Sequence, residues 1–153
     1  MTLPTLYHPD SESVAVAWLS AVLPVGVATS LPKPGTWTPF LGTVQGFGTV
    51  TIAGGRTSDY ALRAPIVSLG TWAAVPGSDN PQWGAAAQLA EILVAECLSL
   101  IPSVRRVQKS AKYAPALVHT VRLNAEPRRI ADPDASVAHF ETEFVLVWTE
   151  VPS

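Results

Sequence analysis

Between Pro81 and Pro102, Ala86, Leu89, Ala90, Leu93, Val94 and Cys97 recur at the spacing that puts them on one face of a helix. Proline at a first helical position gives up an N–H that would have no partner anyway, and Asn80 before it is a capping residue type. The spacing predicts a main helix over residues 81–100 with Asn80 as its cap. A single apolar stripe has to be buried against another layer, and the rest of the chain supplies mostly strand patterns.

A second, shorter helix is predicted over residues 10–23. Asp10 is its cap, Glu12 lies in its first turn, Val14, Trp18 and Val22 recur at i, i+4 and i+8, and Pro24 stops it. Residues 1–9 precede it as an N-terminal arm. Residues 25–31 read as a strand, and residues 32–39, with three prolines, as a loop. Residues 40–52 are strand-like but interrupted by Gly42, Gly46 and Gly48, and Gly54-Gly55 supplies the positive φ a tight turn demands, so a hairpin or a bulged edge is expected here. Further strands are expected over residues 64–72, 116–123 and 139–151. A turn over 75–80 and a polar loop over 126–136 separate elements. The order of elements predicts a single α+β domain over residues 1–153, with two helices packed on one face of a mostly antiparallel or mixed sheet.

Composition narrows the function classes. With 48% apolar and 14% charged residues the chain has ample surface to bury, which excludes a disordered chain and leaves few charges to solvate an exterior. The longest apolar runs, residues 14–27 and 89–101, are broken by Pro24, Glu91 and Glu96, short of the roughly 20 apolar residues of a membrane-spanning helix. The excess therefore points to burial against partner proteins, with no membrane partner. The opening MTLPTLYHPDSES lacks the basic and apolar stretches of a secretory signal, so residence in the cytoplasm where the chain is made is expected. The lone Cys97, inside the helical stripe, reads as a small core residue.

Catalytic signatures are weak. Gly46-Phe47-Gly48 begins like a dinucleotide fingerprint, but Thr51 stands where a third glycine is needed and no helix follows. There is no phosphate-binding GK[ST] run and no G-x-S-x-G elbow. His8, His119 and His139 have no metal-ligand spacing, although His119 and His139 fall on neighbouring predicted strands. Asp132 with Asp134, and Glu141 with Glu143, are explained by a polar turn and by an outer strand face. The expectation is a protein that is not an enzyme and has no catalytic residues, no metal site and no cofactor.

Two anomalies remain. Arg105, Arg106, Lys109 and Lys112, with Arg128 and Arg129 further on, segregate positive charge in a chain of net charge −2, and read either as a solvated loop or as a contact, with an acidic neighbour ahead of nucleic acid. Of the five tryptophans, Trp18, Trp72 and Trp148 fall in regular elements and read as core. Trp37 and Trp83 lie beside proline-rich or helix-start segments, read as near the surface, and are candidate interface residues.

The order of these segments resembles the tail terminator proteins of long-tailed, siphovirus-type bacteriophages, in particular those of phages that infect actinobacteria. The stretches that carry it are DSESVAVAWLSAVLP, VATSLP, VTIAGGR, RAPIVSLGTWA, NPQWGAAAQLAEILVAECL and FETEFVLVW, together nearly the whole chain. The resemblance implies a structural virion subunit that forms a hexameric ring on the last ring of the tail tube. Such a ring stops tube growth and meets the head-completion and neck proteins with its other side. The implied partners are copies of itself, the tail tube protein and the neck proteins, with DNA nearby in the lumen. The implied location is the virion tail and neck, with the host cytoplasm during assembly. Residues 32–39 and 54–62 are the expected contact segments, with Arg56 and Asp59 as members of a cross-subunit ion pair. Another neck component, such as a head-completion or connector protein, is the nearest alternative. A small-ligand-binding α+β domain with Trp37 and Trp72 lining an apolar pocket is a further one.

Overall fold

Asp10 starts the first helix by closing a reciprocal cap. Its carboxylate accepts from the Ser13 amide at 2.7 Å, while the Asp10 amide donates to the Ser13 hydroxyl at 3.2 Å. Helix α1 (Ser11–Val22) ends just before Pro24, as the sequence predicts, and buries Val14, Ala15, Trp18 and Leu19. The computed structural model describes residues 6–57, 62–99 and 104–151, residues 56 and 57 by backbone alone.

Among the described residues seven strands follow in one sheet: β1 (Gly26–Ala28), β2 (Thr38–Leu41), β3 (Val44–Thr57), β4 (Arg63–Ala74), β5 (Arg105–Val107), β6 (Ala116–Ile130) and β7 (Ala138–Glu150). Helix α2 (Trp83–Cys97) lies between β4 and β5 in the chain. The spatial order is β1-β3-β4-β7-β6-β5, with β2 also paired to β3. Among the paired strands of the described residues, only β1–β3 is parallel. The fold is α+β.

Both helices cover the same face. Val50, Val67, Leu69, Phe144, Leu146, Trp148 and Val118 form one core with Trp18 and Leu19 of α1 and Leu89 and Leu93 of α2. Strand period two puts these residues on one side and sends Thr49, Trp72, His139, Glu141 and Glu143 to the other. Gly46 has a packing reason: a Cβ there would come within 2.6 Å of the Phe40 ring and 2.9 Å of Leu89 Cδ1, whereas one on Gly48 would come only within 3.3 Å of Val27.

Several boundaries differ from the sequence expectation. α2 starts at Trp83 behind a Gln82 cap that makes no side-chain bond, because Asn80 and Pro81 belong to the preceding turn; Asn80 bonds Ser78 and accepts from Gln82 Nε2 instead. The strand expected over 25–31 shrinks to β1, and Thr38 and Pro39, expected in the loop, open β2. Of the hairpin and the bulged edge expected around Gly54 and Gly55, the chain makes the bulge: both glycines sit at it inside β3 with φ of 135° and 126°, and the strand runs on to Thr57. Residues 126–130, expected as loop, continue β6 through three register irregularities. Pro127 is tolerated there because β6 has no outer neighbour past Val118, so a missing N–H on that side leaves no ladder bond open.

Candidate assembly surfaces

The sheet leaves two backbone edges unpaired among the described residues. On one side β1 and β2 cover β3 only through Thr49, so Val50 to Thr57 have β4 on one flank alone. On the other side β5 covers β6 only through Val118, so the stretch from there to Ile130 has β7 alone. By register the two edges overlap in level: the β3 edge stands across from Thr142 to Trp148 of β7 and the β6 edge from His139 to Val147, so the strands have one end toward Arg63 and Trp148 and the other toward His139.

The two ends also differ chemically. Beyond Trp148, the hairpin joining β5 to β6 carries Lys109 and Lys112, with Arg105 and Arg106 on β5. None of the four lies within 4 Å of a carboxylate among the described residues. Lys109 Nζ sits 4.8 Å from the centre of the Tyr113 ring. At the opposite end the β6–β7 turn holds Asp132 and Asp134. Asp132 Oδ1 accepts from the Asp134 amide at 2.9 Å, and Asp134 Oδ1 accepts from the Ser136 amide and hydroxyl. The Ser136 hydroxyl and amide hold the Asp134 carboxyl below its usual range.

The tryptophans divide differently from expectation. Trp37 is 3% exposed, not near the surface. It packs with Phe47, Ala74 and Val137 on the sheet face away from the helices, and its indole N–H donates to the Pro32 carbonyl at 3.0 Å. Residues 32–37 thus fold over that face where Phe47, Ala74 and Val137 lie, and the exposure that made Trp37 a contact candidate is absent. Trp72 joins the same packed cluster half-buried, so the two rings do not line an open pocket. Trp18 and Trp148 are core, at 3% and 1% exposure. Trp83 is half-buried, with the Arg129 guanidinium 4.3 Å over its ring and Phe140 edge-on. Arg56 belongs to β3 by its backbone opposite Ala64; its side chain, and Asp59 altogether, lie outside the described residues, as does the proposed pair between them.

The titratable groups do not converge. His119 bonds the Thr149 hydroxyl at 2.7 Å at one end of the β6–β7 pair, while His139 lies opposite Ile130 at the other. About eight residues of strand, roughly 25 Å, separate them. Glu141 pairs with Arg128 at 3.0 Å and Glu143 accepts from Asn124 at 3.1 Å. His139 stacks on Trp72 with centroids 3.6 Å apart, and the Trp72 indole N–H donates to the Thr49 hydroxyl at 2.9 Å. Burial lowers the His139 pKa, opposed by the carboxylates of Glu141 and Asp132. Burial in the α2 stripe, helped by Glu96, pushes the Cys97 thiol up to about 11. Among the described residues no three metal-ligating side chains gather, and no helix is long and apolar enough to cross a membrane.

Sequence patterns missed the two edges and the contact of Tyr7 with the β5–β6 hairpin, since each depends on which distant segments become neighbours. No protein-family model matches the sequence, and neither does any curated protein sequence.

Proposed function

We propose that this chain is a structural subunit that assembles with copies of itself, and that it serves as a tail terminator of a long-tailed bacteriophage. In this reading it carries no enzymatic chemistry and forms a ring, six-fold by the family resemblance. The ring caps the tail tube and joins it to the head-completion and neck proteins. The observation that carries the reading is the pair of unpaired edges on opposite sides of one sheet. Three antiparallel steps separate β3 from β6, so the two strands run in opposite directions. A neighbouring copy in the same orientation can therefore pair its β6 edge antiparallel to this β3 edge. The contact joins two different surfaces, and such contacts close into rings when the rotation between copies permits.

The β6 edge is selective. Its bulges and Pro127 deter indiscriminate strand addition, so only a strand of matching shape fits it. The difference between the basic and acidic ends gives such a ring two unlike faces, which capping requires: one face meets the tube, and the other does not accept another tube subunit.

The test is negative-stain electron microscopy of the purified protein, alone and mixed with tail-tube subunits, with tube lengths scored. Rings, or tubes capped at one end that stop extending, are expected. A compact monomer that leaves tube growth unchanged refutes the reading.

A further inference from the structure

Tyr7 is 63% exposed, yet it is held in place. Its amide donates to the Lys112 carbonyl and its carbonyl accepts from the Ala114 amide, both at 2.8 Å, so the arm is pinned along the β5–β6 hairpin. Next to it, His8 Nδ1 is 2.8 Å from the Glu150 carboxylate. The Tyr7 ring lies 5.7 Å from that of Tyr113, which carries Lys109 over its face, and Leu6 beside Tyr7 is 36% exposed. Two phenols, an exposed leucine and the Lys109 ammonium thus form one patch on a braced backbone, with the exposed Lys112 next to it in the hairpin and Arg105 and Arg106 adding positive field from β5. Large exposed aromatic rings fixed in place are the side chains that anchor protein interfaces.

We propose that this patch docks an acidic, extended segment of a partner protein, with apolar side chains on Tyr7 and Leu6 and carboxylates on Lys109 and Lys112. Charge complementarity identifies the occupant. The nearest carboxylates are already engaged, Glu150 by His8 and Asp10 as the α1 cap. Glu12 shares a depression of about 260 Å³ with Lys109 without closing to an ion pair. The same three carboxylates border the patch, and a continuous phosphate backbone would run against them. Spaced carboxylates on a peptide avoid them, and Lys109 already occupies a face of Tyr113 that a base would need. The inference stands independently of the ring reading, because it concerns a surface outside both free edges.

The test uses the full chain and a fluorescent peptide of alternating Glu and Leu, read by anisotropy. Binding is expected to weaken at least tenfold in Lys109→Glu plus Lys112→Glu, about tenfold in Tyr7→Ala, and several-fold between about 50 and 300 mM salt. A peptide of alternating Lys and Leu is expected not to bind. Circular dichroism of each variant checks that the fold is kept. Absence of binding, or binding that ignores these substitutions, overturns the proposal. Tighter binding of a short DNA strand with the same residue dependence assigns the patch to nucleic acid and overturns it as well. So does self-association that the charge reversal abolishes, which would make the occupant a second copy.

Discussion

Gly70 stands in the middle of β4, opposite Thr49 on β3 and Glu141 on β7. A methyl group there would come within 2.5 Å of Thr49 Oγ1 and within 3.0 Å of both His139 Nε2 and Trp72 Nε1. Thr49 must rotate to admit it, which breaks the 2.9 Å bond from the Trp72 indole. Overpacking costs about 1–3 kcal/mol, and the lost hydrogen bond about 1 kcal/mol. The gain from alanine over glycine in a strand offsets about 0.5–1 kcal/mol. Gly70→Ala is therefore expected to destabilise by about 2 kcal/mol, a fall in melting temperature of roughly 4–8 °C for a chain of this length. Thermal and urea unfolding by circular dichroism measure it. Thr49→Ala removes the oxygen that collides, so Gly70→Ala in that background should cost at least about 1 kcal/mol less. A Gly70→Ala protein as stable as the parent, or the two substitutions adding within about 0.5 kcal/mol, would refute the packing assigned to this cluster.

Thr142 is fully buried and its hydroxyl has no partner among the described residues. Thr142→Val keeps the shape and drops the desolvated hydroxyl, so urea unfolding should show a gain of about 1 kcal/mol. Cys97, with its pKa raised from about 9 to about 11, should react with iodoacetamide at pH 8 about 100-fold more slowly in the native protein than in the unfolded one, as followed by mass spectrometry. The folded state holds His139 in its neutral form, so the unfolded chain binds the extra proton first as pH falls. Stability should drop as pH passes below about 6.5 and level off below the folded-state pKa. His139→Gln should flatten that part of the urea midpoint profile, and an unchanged profile would exclude His139 as its source.

What the sequence made legible was local. The Asp10 cap and the apolar face of α1 are encoded within a few residues, and so is the α2 stripe from Ala86 to Cys97. Trp37 escaped because its burial comes from Phe47, Ala74 and Val137 on other segments, while its own flanks of proline and glycine look like surface. The far half of β6 escaped for a related reason. An edge strand open to water on one face can alternate charges such as Arg122, Glu126 and Arg128, and that pattern is indistinguishable from a polar loop until β7 is seen beside it. Gly54-Gly55 has the positive φ a turn would need, but the bulge spends it on bending β3. Of the candidate contact residues, the basic group was legible as charge and not as place. The bridge between Tyr7 and Tyr113, with Lys109 over the Tyr113 ring, joins it to an aromatic anchor.

Amide hydrogen exchange of the isolated subunit and of the assembled protein tests the central claim, self-assembly through the two sheet edges, most directly. On assembly, outward-facing amides between Val50 and Thr57 and between Thr120 and Ile130 should become protected together, while those of α1 and α2 stay as they were. Assemblies in which both edges exchange as fast as in the free subunit would contradict it.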